Sequence, residues 1–372
     1  MTSERVIATR LAWIDDIKLF AICCVMVGHV SATFFANEPG RQWLHHVLIS
    51  WSMPLFFFVS GITSWGGISR IKDVADVESY VRRMAYRLMV PSLTFAALLG
   101  VIDVTSSVHF IRGIALLAAI AVFLISRKRG GFDNHRTIAL YILYGMLFAH
   151  IVGGVFSSFW FFPCLLRTLI IPAIIFGLTR PRTTMQWMLC ASVVYVVLLL
   201  VGLRFDANAE LGSYYLLGLF LRRMNQHNHK RPVMVVPLLA IAVVATYNFR
   251  FHSFYGNHYW GLVASGQWTI LLFRQLAGIA WCMMFWQLFM ALNHTYDSVS
   301  RLGSKTLAIY GVHVVLIETF RQHFFYVGHG VSVYIYELLF VSMLLTVSTI
   351  IIRFAMMHWI TRQMVCGNQE LS

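Results

Sequence analysis

Trp13-Ile14-Asp15-Asp16-Ile17-Lys18-Leu19-Phe20-Ala21-Ile22-Cys23-Cys24-Val25-Met26-Val27-Gly28-His29 is an apolar run entered through two carboxylates and an amine, with an imidazole near its far end. Continued to about residue 36 it is long enough to cross the roughly 30 Å of a bilayer's hydrocarbon as a helix. Its polar residues then fall into a pattern. Lys18 and His29 are eleven steps of about 100° apart, three turns plus about 20°, so they share a face at a separation of about 16 Å. Asp15 lies within about 40° of the same direction and about 21 Å from His29. The helix carries one polar stripe, with acid and amine at its mouth and the imidazole deep in the span. Gly28 beside His29 lets another group approach closely. The stretch is no cleavable signal peptide, because the apolar run is too long, has acids at its start and has no small-x-small cleavage site.

Similar runs recur to the end of the chain, near 44–66, 84–103, 109–126, 138–154, 158–178, 185–203, 210–222, 233–248, 268–292, 304–326 and 332–358. The expected fold is therefore an all-α, polytopic transmembrane helical bundle of about 10–12 spans. The uncertain members are the short runs at 109–126 and 210–222; a re-entrant hairpin over 109–154 would remove two crossings together. Composition agrees. Of 372 residues, 59% are hydrophobic and 12% charged, about half the charged share usual in soluble domains, and mean hydropathy is +0.71. No stretch is left over for a soluble domain, so residues 1–372 read as a single membrane-embedded unit.

The net charge of +14 suggests a nucleic-acid partner only until the basic residues are placed. They sit in alternate loops: Arg5 and Arg10; Arg70 to Arg87; Arg127 to Arg136; Arg180 and Arg182; Arg222 to Arg231; Arg301 and Lys305; Arg362. The intervening loops hold only Arg41, Arg112, Arg204, Arg250 and Arg321. This asymmetry puts both termini in the cytoplasm and makes membrane lipid, not nucleic acid, the partner of the basic surface. The six cysteines show no metal-ligand or disulfide spacing and read as small packing residues. No metal site is expected.

An ionisable residue inside a bilayer is costly and so a functional candidate. Besides the first stripe, Arg83 and Arg87 stand four apart on one face of the third span, at its cytoplasmic boundary. They suit a phosphate, although ordinary anchoring would account for them too. Late in the chain, Tyr310 and His313 share a face of another span. Arg167 and Arg274 fall in the outer halves of their helices, where an acidic or sugar acceptor and a structural ion pair are both open readings. For His29 the plain alternative is a core histidine satisfied by hydrogen bonds. For Asp15 and Lys18 it is a charge pair that seats the helix end.

Taken in order, Ile14-Asp15-x-x-Lys18, His29, Pro54-Leu-Phe-Phe-Phe-Val-Ser60-Gly61, Arg87-x-x-x-Pro91, Trp160-Phe161-Phe162, Tyr215-Leu-Leu-Gly218 and Gly303-Ser304 through Tyr310-x-x-His313 resemble the bacterial membrane acyltransferase family 3. The likeness runs over about residues 10–355. Each piece alone is weak, and it is their order that carries the resemblance. Lys18 stands where the family pattern often has Arg, which is most similar to the fucose 4-O-acetyltransferase-like branch. Lys cannot make the bidentate contact of Arg.

The resemblance implies an integral inner-membrane O-acyltransferase that moves an acyl group, usually acetyl, from cytoplasmic acyl-coenzyme A to a hydroxyl of a cell-surface or exported glycan or glycolipid. His29 would then be the base for the acceptor proton or the carrier of the acyl group, two routes that stay open here. Lys18, Arg83 and Arg87 would hold acetyl-CoA, Asp15 would orient Lys18, and Tyr310 and His313 would serve the oxyanion or orient His29. The competing classes are a secondary transporter, which also keeps ionisable groups at mid-membrane, and a non-catalytic membrane partner of a polysaccharide assembly system.

Overall fold

The computed structural model describes residues 12–34, 41–102, 113–114, 116–118, 120, 124, 159–201, 207–224, 235–248, 258–292, 297–323 and 331–366. Among these the regular structure is helical throughout and no strand occurs. In chain order the helices are α1 (Ala12–Phe34), α2 (Arg41–Ile68), α3 (Val74–Ile102), α4 (Phe161–Thr179), α5 (Thr184–Val201), α6 (Ala207–Met224), α7 (Val235–Asn248), α8 (His258–Ala264), α9 (Trp268–Leu292), α10 (Asp297–Gly303), α11 (Thr306–His323), α12 (Val331–Met357) and α13 (Trp359–Cys366). Among the described residues five segments are long and apolar enough to cross a membrane: Trp13–Phe34, Val74–Ile102, Phe161–Thr179, Trp268–Leu292 and Ile335–Met357. The molecule is a multi-pass helical membrane protein.

Most expected spans reappear with shifted ends, and the shifts have local causes. The third span starts at Val74, not near residue 84, because Asp73 and Asp76 cap it: the Asp76 amide donates to Asp73 Oδ1 at 2.8 Å, and Asp76 Oδ2 accepts from the Lys72 amide at 2.8 Å. This is a two-carboxylate cap of a helix start, close to a capping box but with the return bond on the Lys72 amide, which an apolar-periodicity reading passes over. Arg82, Arg83 and Arg87 therefore lie on a helix already formed, not in its approach. Thr183 and Gln186 cap α5 in the same way, each side chain accepting from the other's amide at 3.2 Å. The run expected at 304–326 is found as α11, and before it stands the short α10, which was not expected; Ser304 and Lys305 separate the two. The expected 138–154 span and much of 109–126 lie outside the described residues.

Helix α1 is the hub, touching α2, α9, α10, α11 and α12. The tightest crossing is between α2 and α6. A Cβ at Gly61 would run into the Tyr215 carbonyl, and one at Gly218 into that of Phe58, so the two backbones are in direct contact and only glycine fits, the usual solution where lipid gives no hydrophobic drive. Helix α3 packs on α4, α11 and α13. Apolar side chains such as Val193, Leu200, Val236, Leu338 and Phe354 are exposed on the outer faces of α5, α7 and α12, as a lipid-facing surface requires.

Candidate active site

Two short contacts align α1 with the segment that runs from the end of α10 into α11. At the end where α1 begins, Gly303 rests against the backbone of Asp15 so closely that any Cβ there would overlap it. Farther along, His29 of α1 meets His313 of α11, with 3.2 Å between His29 Nδ1 and His313 Nε2 and the rings roughly stacked at 5.3 Å between centroids. The helices thus run side by side in the same direction, pinned at Gly303 and joined again at the imidazoles.

The hydrogen-bond pattern fixes where the protons are. His313 is fully buried, and its Nδ1 lies 3.0 Å from the Ile309 carbonyl oxygen, which can only accept. Nδ1 of His313 therefore carries the hydrogen, and Nε2 of the neutral ring is an acceptor. The atom facing it, His29 Nδ1, must donate. His29 is left with its lone pair on Nε2, the tautomer in which that atom is a base or nucleophile. Two residues that the sequence placed on separate helices form one chain: carbonyl, imidazole, imidazole.

Tyr310 belongs to the same cluster. Its buried ring packs against Phe161 at 4.9 Å and Phe162 at 5.5 Å, and stands edge-on to His313 at 5.4 Å. The Trp160-Phe161-Phe162 run therefore forms an apolar wall behind Tyr310 and His313, joined by Phe159 and by Phe95 of α3. Such a wall keeps water from the buried His313, while His29 beside it is half-buried.

The other predicted residues gather at the mouth of α1. Asp15 is buried there, and Lys18 Nζ lies 3.6 Å from Asp15 Oδ1. Arg87, half-buried on α3, is within electrostatic range of Asp15, Tyr80 and Arg83. Arg83 is exposed, with its guanidinium 5.8 Å above the Tyr80 ring. The predicted residues thus divide into a charged cluster of Asp15, Lys18, Arg83 and Arg87 and a neutral one of His29, Tyr310 and His313, at opposite ends of one α1 stripe.

Arg274 falls outside both clusters. It is fully buried and ion-paired with Glu210 of α6 through Nε and a terminal nitrogen. Of its two open readings the structural pair is the observed one, since a guanidinium buried in this way has its charge met inside the bundle. Arg167 donates from Nε to the Pro163 carbonyl at 3.1 Å within its own helix. Sequence reading also missed Tyr80, whose buried ring packs against Gly67 of α2 beside the arginines. A tyrosine three residues before Arg83 was the available signal.

A family model described as an acyltransferase domain matches residues 11–358. The chain belongs to acyltransferase family 3. Searches of curated proteins and of solved structures return no match to it. As a membrane acyltransferase of this family, the protein uses its recurring sequence pieces in two ways: Ser60-Gly61 and Tyr215-x-x-Gly218 make the α2–α6 seam, while His29 and Tyr310-x-x-His313 meet across α1 and α11.

Proposed function

We propose that this acyltransferase moves an acetyl group from acetyl-CoA, bound at the cytoplasmic mouth of α1, to a hydroxyl of a glycan or glycolipid that reaches His29 from the other side of a bacterial inner membrane. The observation that carries this reading is the His29–His313 pair, whose tautomers set the His29 Nε2 lone pair for proton removal. In the step proposed, the acceptor O–H gives its proton to Nε2 while its oxygen attacks the thioester carbonyl. A tetrahedral oxyanion forms and collapses with cleavage of the C–S bond. The coenzyme A thiolate then takes the proton back from the His29 imidazolium, leaving ester, thiol and the starting enzyme.

His313 is a positioning residue in this scheme. It holds the His29 ring in one tautomer and, through the Ile309 carbonyl, disperses the positive charge that develops on it. Tyr310, within the apolar wall, serves the oxyanion. Lys18, Arg83 and Arg87 supply cations to the coenzyme A phosphates, the charge-assisted contacts such a group needs, and Asp15 holds Lys18 in place.

The test is purified protein in lipid nanodiscs given acetyl-CoA labelled in the acetyl group. Release of free coenzyme A with transfer of label to added glycolipid, lost in His29→Ala, supports the reading. Substrate flux without acetyl transfer would make the protein a transporter. Quenching after donor alone separates the two routes for His29: label retained on the protein marks an acyl-imidazole, and unlabelled protein marks general-base transfer.

A further inference from the structure

Helix α13 lies beyond the segment that matches the family model, which ends at residue 358. It is nevertheless packed into the molecule, against α3, α11 and α12. Gln363 and Cys366 are buried. The Tyr86 hydroxyl of α3 donates to Gln363 Oε1 at 2.9 Å in a fully buried hydrogen bond, and Met364 packs beside Tyr86, Val90 and Leu93.

The position of Tyr86 on α3 gives this contact a meaning. Tyr80, Arg83, Tyr86, Arg87 and Val90 fall within one arc of about 120° on the helix. The tyrosines mark the margins of that arc, with the arginines between them. On one margin the buried Tyr80 ring packs against Gly67 of α2; on the other Tyr86 is tied to Gln363 of α13. The arginine face of α3 is therefore held from both sides, once by the family core and once by a helix outside the family match.

We infer that α13 is a strap that sets the rotation of α3 about its axis, so that Tyr86 and Gln363 are positioning residues for Arg87 and, on the donor-side reading given above, for acyl-CoA. Their side chains need not touch the donor. Losing the bond lets the arginine face turn away from Asp15 and the mouth of α1, which weakens donor binding and leaves the distant histidine pair as it was.

The experiment compares steady-state kinetics for acyl-CoA, per molecule of membrane-inserted protein, in Gln363→Leu, Tyr86→Phe, their double variant, Arg87→Ala, and Arg87→Ala with Gln363→Leu. Gln363→Leu and Tyr86→Phe should each raise KM for acyl-CoA about threefold to tenfold, the range of one neutral hydrogen bond, with kcat kept. The double variant removes both partners and so strands no buried polar group. It should regain thermal stability while KM stays raised, which a purely structural bond would not do. In the Arg87→Ala background Gln363→Leu should add less than it does alone, because only Arg83 is then left on the face that turns. If Arg87→Ala raises KM while Gln363→Leu does not, or if KM simply follows thermal stability, the strap is wrong and the donor site stands. If Arg87→Ala itself leaves KM unchanged, the donor-side reading fails first, and the strap fails with it.

Discussion

The two ends of α1 have solved opposite problems with the same helix. At its mouth are a buried acid, a partly exposed lysine and the two arginines of α3, charges at the edge of the bundle that water and lipid headgroups can reach. About 21 Å farther along, the polar groups are two imidazoles, His313 buried beside Tyr310 and His29 half-buried, and each contact between them can be satisfied by neutral rings. Cations that hold a ligand tolerate solvent, because ligand phosphates arrive charged. A base has to keep its proton position defined, and in an apolar surrounding the protein does so with a hydrogen-bond chain that ends on a backbone carbonyl. On the function proposed above, the charged end serves binding and the neutral end proton transfer.

The sharpest way to break that contrast is His29→Ala, which should lower acyl transfer by about two to four orders of magnitude, the usual contribution of general acid–base catalysis, with the protein still inserted. Measured as acetylated product per inserted molecule, activity near the original would reduce the pair to packing. His313→Ala comes next. It strands the His29 Nδ1–H and releases the ring, so a loss of about tenfold to hundredfold in kcat is expected, from the 1–3 kcal/mol of an orphaned buried donor, with KM for acetyl-CoA unmoved. An equal rise in KM would merge the two ends into one site.

At the mouth the effects should be smaller and fall on KM. Arg87→Ala removes one charge-assisted contact, about 1.5–3 kcal/mol of donor affinity, readable by calorimetry with a non-hydrolysable coenzyme A thioether. Least is expected from Lys18→Arg, which keeps the charge beside Asp15 and should retain substantial activity, whereas Lys18→Met should lose it. Asp15→Asn with Lys18→Met gives the counter-test: full activity in that double variant would make the ion pair a seat for the helix end and nothing more.

Much of this was legible in the chain alone, and what was not has a physical reason. The stripe from Asp15 through Lys18 to His29 follows from helical periodicity, as does the shared face of Tyr310 and His313. Periodicity gives the face of a residue and never its partner, so the meeting of His29 and His313, 284 positions apart, needed the packing of α1 on α11. The early start of α3 was written as Asp73-x-x-Asp76, a polar signal that a search for apolar runs discards. Arg274 was ambiguous because Glu210, its neutraliser, sits on another helix. Gln363 gave no sign at all: it lies past the last span, where a buried glutamine is indistinguishable in sequence from a solvated one.

The Gly303 contact has a mechanical consequence. Because the turn that leads into α11 is pinned to α1 there, ten residues before His313, any tilt of α11 about that knuckle is a rotation with a long arm. A swing of α11 by about 6°, over the roughly 10 Å from its start at Thr306 to His313, would carry the His313 ring roughly 1 Å, enough to take a 3.2 Å contact out of hydrogen-bonding range. The imidazole pair is thus the tip of a lever whose fulcrum is a missing side chain, and a bulkier residue at 303 would disarm the far end of the molecule without touching it.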